Sequence, residues 1–555
     1  MPLPTPDSAD SVDAPMMGRT WSYDAPWDMY AMSEFNTIVN ISQSPLNEDI
    51  IYAGTDDGLI QVTEDGGQTW RRIDRLPGVP ARFFVNDIKA DLHDEDTVYV
   101  VVDDHKNGDF SPYILKSEIR GRRSTAISSN LPDRHVRWRV VQDHVKPGLM
   151  FVGSEFGVFF TVNAGGSWTK LKGGAPNIAF RDLAIQTREN DLVGATFGRS
   201  FYVLDDYSAL RDITQDMLEK GSTLFPVRKA PWYVQKRDLG CTENGCQARQ
   251  GDSFYVAKNP EFGALLPYYL AEAIKTAMDI RREAEKPLEK NNDNVSFPSF
   301  ETVIDEARED APAIVFTVTD SQGKVVQHVE GPATAGFHRI AWNLRYPPLY
   351  AWTPEEAQPD FEPGLGVLVA PGEYRVSMAK RVDGNTSTLG QQQSIDVVSI
   401  RPEPVLPGST QEERIIFAQQ FEELTRVSTG TDASITLMNE ELNAAKTALK
   451  RATAGAELYA AVVALQDRLL DQHERLAGNN TRDIYHAWNE MTVYDRMWHA
   501  GFTPSSNVYG PTPAQRESYR IGRAQYDDVG AKLDGIKRDY DALKLAMDAA
   551  GVPWT

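Results

Sequence analysis

Five carboxylates recur at one place in a repeating segment. Asp56 and Asp57, in Tyr52-Ala-Gly-Thr-Asp-Asp-Gly58, align with Asp103 and Asp104 and with Glu155 in Phe151-Val-Gly-Ser-Glu-Phe-Gly157. Two carboxylates about 5–9 Å apart across a sugar ring are what glycoside cleavage needs, one as acid and one as base or nucleophile. The same oxygens suit a hard cation. Plain turn chemistry competes with both, because Asp-Asp-Gly is also an ordinary hairpin turn. An acidic sugar would further require clustered arginines. Arg137, Arg139 and Arg181 stand at the starts of apolar runs, and Arg199 follows a strand turn. Asp56, Asp57 and Glu155 are thus the catalytic candidates. Asp103, Asp104, Arg137, Arg181 and Arg199 are the ligand-binding candidates. His93, His105, His135 and His144 are scattered, and no Ser-His-Asp order, H-E-x-x-H or P-loop is present. Neither a metal nor a cofactor is expected.

These residues sit on a repeat. The second element of each unit starts at Ile51, Val98, Met150 and Leu192, so the spacings are 47, 52 and 42 residues. Another apolar run precedes each, at 37–41, 85–88, 136–141 and 180–185. A period of that length with about four short strands per unit predicts propeller blades. Thr63-Glu-Asp65-Gly-Gly-Gln-Thr69-Trp70 and Thr161-Val-Asn163-Ala-Gly-Gly-Ser167-Trp168 both fit S/T-x-D/N-x-G-x-S/T-W, the Asp-box. A decayed copy runs from Ser117 to Ser124. In this motif the Asp or Asn bonds its own turn and the Trp opens the next strand. Asp65, Trp70, Asn163 and Trp168 are therefore expected to be structural.

The fold expected is mainly β: a partial propeller, then an immunoglobulin- or fibronectin-like β-sandwich, then a C-terminal helical bundle. The boundaries read as a linker or extension at 1–31, blades at 32–215, an irregular connector at 216–258, a sandwich at 259–402 with a helical insert at 271–291, and a bundle at 409–551. The bundle is announced by a capping box at Thr410-Gln-Glu-Glu413, a stop at Gly478, and Thr512-Pro513-Ala-Gln515. Three full blades and most of a fourth suggest the C-terminal part of a larger propeller. An upstream partner chain supplying blades, a split gene, or a small closed ring are the alternatives. Cys241 and Cys246 flank a Gly-containing turn; a disulfide loop and two free thiols are both open readings. The balance of 57 basic against 79 acidic residues, net −22, argues against nucleic acid. No apolar run is long enough for a membrane span, and no signal peptide is visible.

The chain resembles the C-terminal half of bacterial sortilin-type or BNR-repeat, glycosyl hydrolase-like propeller proteins. The stretches that carry the likeness include residues 52–63, 151–157 and 190–199, Tyr202-Val-Leu-Asp-Asp206, Gly336-Phe-His-Arg-Ile-Ala-Trp342 and Gly551-Val-Pro-Trp554. The resemblance implies an exported protein, secreted or periplasmic. The family's hydrolase label rests on repeats shared with sialidases and xyloglucanases, and repeats do not transfer a reaction. The function expected is therefore a non-catalytic scaffold binding a protein, peptide or polysaccharide ligand. A glycoside hydrolase is the first alternative, and an assembly factor like the photosystem-stability propellers is the second.

Overall fold

The computed structural model describes residues 37–214, 221–235, 260–348, 366–400, 408–485, 490–501 and 509–553, save 74, 82, 454, 486, 487 and 489, together with 15, 16, 19, 20, 217 and 488. The chain forms two compact units, Met1–Leu218 and Glu219–Thr555. It is mixed helix and strand rather than mainly β, because two of its helices run to 39 and 37 residues.

The first unit contains four consecutive antiparallel sheets, each a simple meander. The first is β1 (Ile38–Gln43), β2 (Ile51–Thr55), β3 (Ile60–Thr63) and β4 (Arg71–Ile73). The second is β5 (Phe84–Ala90), β6 (Val98–Asp104), β7 (Asp109–Glu118) and β8 (Arg123–Ala126). The third is β9 (Arg137–Gln142), β10 (Met150–Ser154), β11 (Gly157–Thr161) and β12 (Thr169–Lys170). The fourth has three strands among the described residues, β13 (Phe180–Gln186), β14 (Asp191–Thr196) and β15 (Phe201–Leu204). Each sheet is a blade, and apolar clusters fill the spaces between neighbours. One joins Ile60 and Val62 of the first blade to Val85 and Ile88 of the second, and another joins Phe151 to Phe180 and Leu192.

Two glycines explain part of the repeat. A Cβ on Gly153 would lie 2.6 Å from the Phe180 carbonyl oxygen, and one on Gly54 would lie 2.5 Å from Val85 Cγ1. Each glycine thus lets the inner strand of the next blade approach its sheet.

The inner strands are also joined by polar contacts. In all four the pairing register shifts by one residue, between Ile38 and Asn40, Val85 and Asp87, Arg137 and Arg139, and Phe180 and Asp182. The first paired residue after each shift is polar. Asn40 Nδ2 donates to Asp87 Oδ1 (3.4 Å) and Arg139 Nη1 donates to the same oxygen (2.9 Å). Val140 N donates to Asp87 Oδ2 (2.9 Å), and Arg139 Nε donates to Asp182 Oδ1 (2.8 Å). A fully buried carboxylate therefore ties three blades together.

The second unit holds two sheets over one core. The smaller is β16 (Ser222–Leu224), β18 (Ala264–Leu270) and β21 (Gly336–Trp342), in the order β16-β18-β21. The larger uses β17 (Ala230–Trp232), β19 (Ala313–Asp320), β20 (Val325–Gly331), β22 (Gly372–Val382) and β23 (Asn385–Ser399), in the order β17-β23-β22-β19-β20. Tyr268 and Trp342 of the first sheet and Phe316 and Val376 of the second are all buried in that core. Two strands, β16 and β17, fall where the sequence suggests only irregular chain. They are three residues each and are held by distant partners, β18 for the one and β23, in parallel, for the other. The inserted helix α1 spans Ala277–Lys290, and a second, α2 (Phe300–Arg308), follows it. Cys241 and Cys246 lie outside the described residues.

The helical part comprises α3 (Gln411–Leu449), α4 (Ala456–Ala477), α5 (Asn480–Ile484), α6 (Val493–Gly501) and α7 (Pro513–Ala549). Both capping boxes form: Thr410 with Glu413, and Thr512 with Gln515. Leu424, Leu442, Leu465, Leu469, Leu533 and Met547 share the bundle core.

The buried carboxylate generates a test. Asp87→Ala leaves Arg139 with Asp182 alone and takes the acceptor from two further donors, Asn40 Nδ2 and Val140 N, and is expected to cost about 1–3 kcal/mol. Asp182→Ala, at the solvent end of the same chain of contacts, is expected to cost under about 1 kcal/mol. Urea unfolding of the full chain, followed by tryptophan fluorescence, reads both.

Candidate functional site

The register shifts decide what the inner strands present. A residue skipped in an antiparallel ladder is re-aimed away from the pairing plane. Here the skipped residues are Val39, Asn86, Trp138 and Arg181. Three of them meet a neighbouring blade. Asn86 Nδ2 donates to the Arg137 carbonyl oxygen (2.8 Å) and to Asp103 Oδ2 (2.6 Å). The Arg181 guanidinium lies 3.6 Å from the centre of the Trp138 ring and 5.5 Å from that of Phe197. The His105 ring meets Trp138 edge-on at 6.0 Å. Arg181 is exposed and Trp138 nearly buried, so the cation covers the ring. Such stacking contributes about 0.5–1 kcal/mol at an exposed site.

The antiparallel register puts the start of each inner strand beside the end of its second strand. Ile38 pairs with Thr55, Phe84 with Asp103, Arg137 with Ser154 and Phe180 with Thr196. All the sequence candidates therefore lie at the same end of their blades. Their individual settings differ. Asp56 Oδ1 accepts from Thr37 N (2.9 Å), and Asp57 accepts a short hydrogen bond from the Thr55 hydroxyl. Asp103 is buried and accepts from Asn86, from His105 N (3.0 Å) and from the His105 ring. Asp104 accepts from Asn107 Nδ2 (2.6 Å), and burial raises its carboxyl above the ordinary range. Glu155 is half-buried, with its N–H on the Val136 carbonyl (3.0 Å). Four of the five carboxylates thus bond their own turns or the adjoining strand. Among the described residues no three His, Cys, Asp or Glu side chains converge as a metal site.

The arginines separate in the same way. Arg137 is fully buried, donates to the carbonyls of His135 (2.8 Å) and Pro132 (3.5 Å), and lies over the Phe159 ring. Burial pulls it down to about 10, still cationic at neutral pH. Its contacts are thus with the chain leading into blade 3 and with that blade's Phe159 ring. Arg181 and Arg199 are exposed, on either side of the Phe197 turn. The grouping of Trp138, His105 and Asn86 carries no local sequence signal, because their meeting depends on the register shifts.

The Asp-boxes form turns closed by their own side chains. Asp65 accepts from Thr63 Oγ1 (2.8 Å), Thr69 N (2.9 Å) and Thr69 Oγ1 (2.6 Å). Asn163 Oδ1 accepts from Thr161 Oγ1 (2.8 Å) and Ser167 N (2.9 Å), while its Nδ2 donates to Ser167 Oγ (3.1 Å). Trp70 Nε1 donates to the Gly67 carbonyl (3.2 Å). Trp168 is buried and its Nε1 donates to the Ile127 carbonyl of the preceding blade's outer side (2.7 Å).

No family model matches the chain, and no curated protein matches its sequence. Solved structures similar to it include YCF48 bound to a D1 peptide, 16% identical over 32% of this chain and 53% of that one, TM-score 0.25. YCF48 from Cyanidioschyzon merolae is 15% identical over 31% and 57%, TM-score 0.24. The GH74 enzyme of Niastella koreensis is 15% identical over 34% of this chain and 26% of that one, TM-score 0.24. The chain spans about half the length of the two YCF48 structures. The blade assignment itself stands on strand order and register.

The two Asp-boxes together set a pH test. The Thr69 and Thr63 hydrogen bonds lower Asp65 to about 2 from its ordinary 3.8. A depressed carboxyl contributes stability above its ordinary value and loses it as pH falls toward 2. Asp65→Asn copies the Asn163 box and cannot be protonated in this range. It is expected to melt like the parent at pH 7 and to flatten the fall in Tm between about pH 4 and 2, measured by calorimetry.

Proposed function

We propose that the bladed unit is a non-catalytic binding module whose ligand is a protein or peptide segment. The observation that carries this is the surface of the fourth blade. Among the described residues β15 forms an open strand edge, with Phe201 71% and Val203 54% exposed. Phe197, 73% exposed, adjoins it and leads to the Arg181–Trp138 stack. An open edge offers backbone N–H and C=O groups to an added strand. The exposed rings offer apolar contact, and Arg181 and Arg199 favour acidic side chains on the incoming segment. A segment from an upstream chain that supplies further blades would use the same edge.

Glycoside hydrolysis is the weaker reading. It needs two carboxylates free to take and give protons across a substrate. Asp56, Asp57 and Asp103 are engaged in the hydrogen bonds that shape their turns. The two sheets of the second unit are read as an accessory sandwich and the helices as an accessory bundle. Export to the periplasm or medium follows the family resemblance. Among the described residues no helix is long and apolar enough to cross a membrane.

Selection of a displayed random-peptide library on the full chain tests the binding proposal. The expected winners alternate apolar residues and carry acidic ones, and their affinity falls by about tenfold or more in Val203→Lys and in Arg181→Glu. Turnover of xyloglucan or a sialoside that disappears in Asp56→Asn, Asp57→Asn or Glu155→Gln would sink it.

A further inference from the structure

A cavity of about 260 Å³ lies in the second unit, between the sheet edge and α3. It is far larger than the roughly 10–15 Å³ that one water requires. Trp232, Ile415, Ala418 and Phe421 give it apolar walls. Three charged side chains line it, Arg345 from the loop after β21 and Arg414 and Glu422 from α3.

Arg345 is only 8% exposed. Among the described residues its side chain donates one hydrogen bond, from Nη1 to the Gly366 carbonyl (2.7 Å), and the Glu422 carboxylate acts on it electrostatically. A guanidinium has five donors, so Arg345 keeps others to offer a ligand, and its burial lowers it from its ordinary value. Glu422 has one oxygen, Oε2, buried without a partner, while the Val367 N–H serves its carboxylate. The backbone that frames the site is tight: a Cβ at Gly366 would lie 1.9 Å from the Tyr346 carbonyl oxygen, and one at Gly501 would lie 2.2 Å from the Phe421 ring. The pair therefore faces a formed space.

We propose that this cavity binds a small organic acid, with its carboxylate on Arg345 and its apolar body between Trp232, Ile415 and Phe421. The orphaned Glu422 oxygen completes the site as a hydrogen-bond donor when protonated. Burial pushes Glu422 up to about 7, eased by the Val367 N–H and by Arg345. Arg414, from the same helix as Glu422, is the other charged group lining the space. A protonated Glu422 donates to the ligand's carboxylate, and an ionised one repels it. Affinity is therefore expected to be highest below neutrality and to fall as pH rises through about 7.

Calorimetric titration of the full chain with hexanoate and benzoate, against hexanamide and benzamide, tests the site. The acids are expected to bind at least about tenfold more tightly than the amides. Arg345→Gln is expected to remove that preference. Glu422→Gln, a fixed neutral donor, is expected to keep acid binding and abolish its fall with pH. Ile415→Trp fills the space and is expected to abolish binding with an unchanged circular-dichroism spectrum, which keeps the test decisive should Arg345→Gln fail to fold. Equal binding of acids and amides, no binding of either at millimolar concentration, or an unchanged pH slope in Glu422→Gln would each overturn the proposal.

Discussion

The first unit depends on one carboxylate. Asp87 is buried on the inner strand of the second blade, yet its two oxygens serve donors from the first and third. A charge withdrawn from water is tolerable only when it is paired and fully hydrogen-bonded. Arg139 supplies the opposite charge and passes the contact to Asp182 of the fourth blade. The apolar clusters between blades supply bulk attraction without direction. The polar chain adds direction, because its geometry is met only when all four register shifts are in place. A similar device recurs at the other end of the inner strands. There buried Asp143 accepts from Tyr207 and from both Arg211 donors, joining the third blade to the chain that leaves the fourth.

The same register shifts that create this frame also create the exposed face. Skipping one residue turns Asn86, Trp138 and Arg181 out of their ladders and toward the neighbouring blade. Frame and face are therefore one structural event read from two sides. The carboxylates at the adjoining turns have a different role. Asp56, Asp57, Asp103 and Asp104 accept hydrogen bonds within their own loops or from the adjoining strand.

Much of the architecture is legible because its signals are local. The inner strands show as apolar runs, and the helix starts show as Thr410-Gln-Glu-Glu413 and Thr512-Pro513-Ala-Gln515, whose hydrogen bonds span three residues. The Asp-boxes are legible for the same reason. The register shifts are not, since an extra residue within a run such as Val136-Arg-Trp-Arg-Val-Val141 leaves no mark on its composition. The isolated charges Asp87 and Arg139 inside strand-like runs were the available trace. Strands β16 and β17 carry no signal of their own: three residues have no periodicity, and their pairing is tertiary. The convergence of Arg345 and Glu422 on one cavity lies beyond any local pattern. Asp56 and Asp57 illustrate the remaining gap, because a turn and an acid–base pair use the same residue types.

The parallel pairing of β17 with β23 bears on the order in which the chain can assemble as it is made. Trp232 reaches Val369 across 137 residues through its indole N–H, and Ala230 pairs with Val397. Contacts of such long range require a large loop to close before they stabilise anything. The blades, by contrast, are meanders that each contact the blade made just before. On a ribosome the first unit can form while the second is still being synthesised, and the larger sheet of the second must wait until its final strand has emerged. Until then the aromatic surface of Trp232 has no core to enter, and this interval is when the nascent chain is most in need of protection.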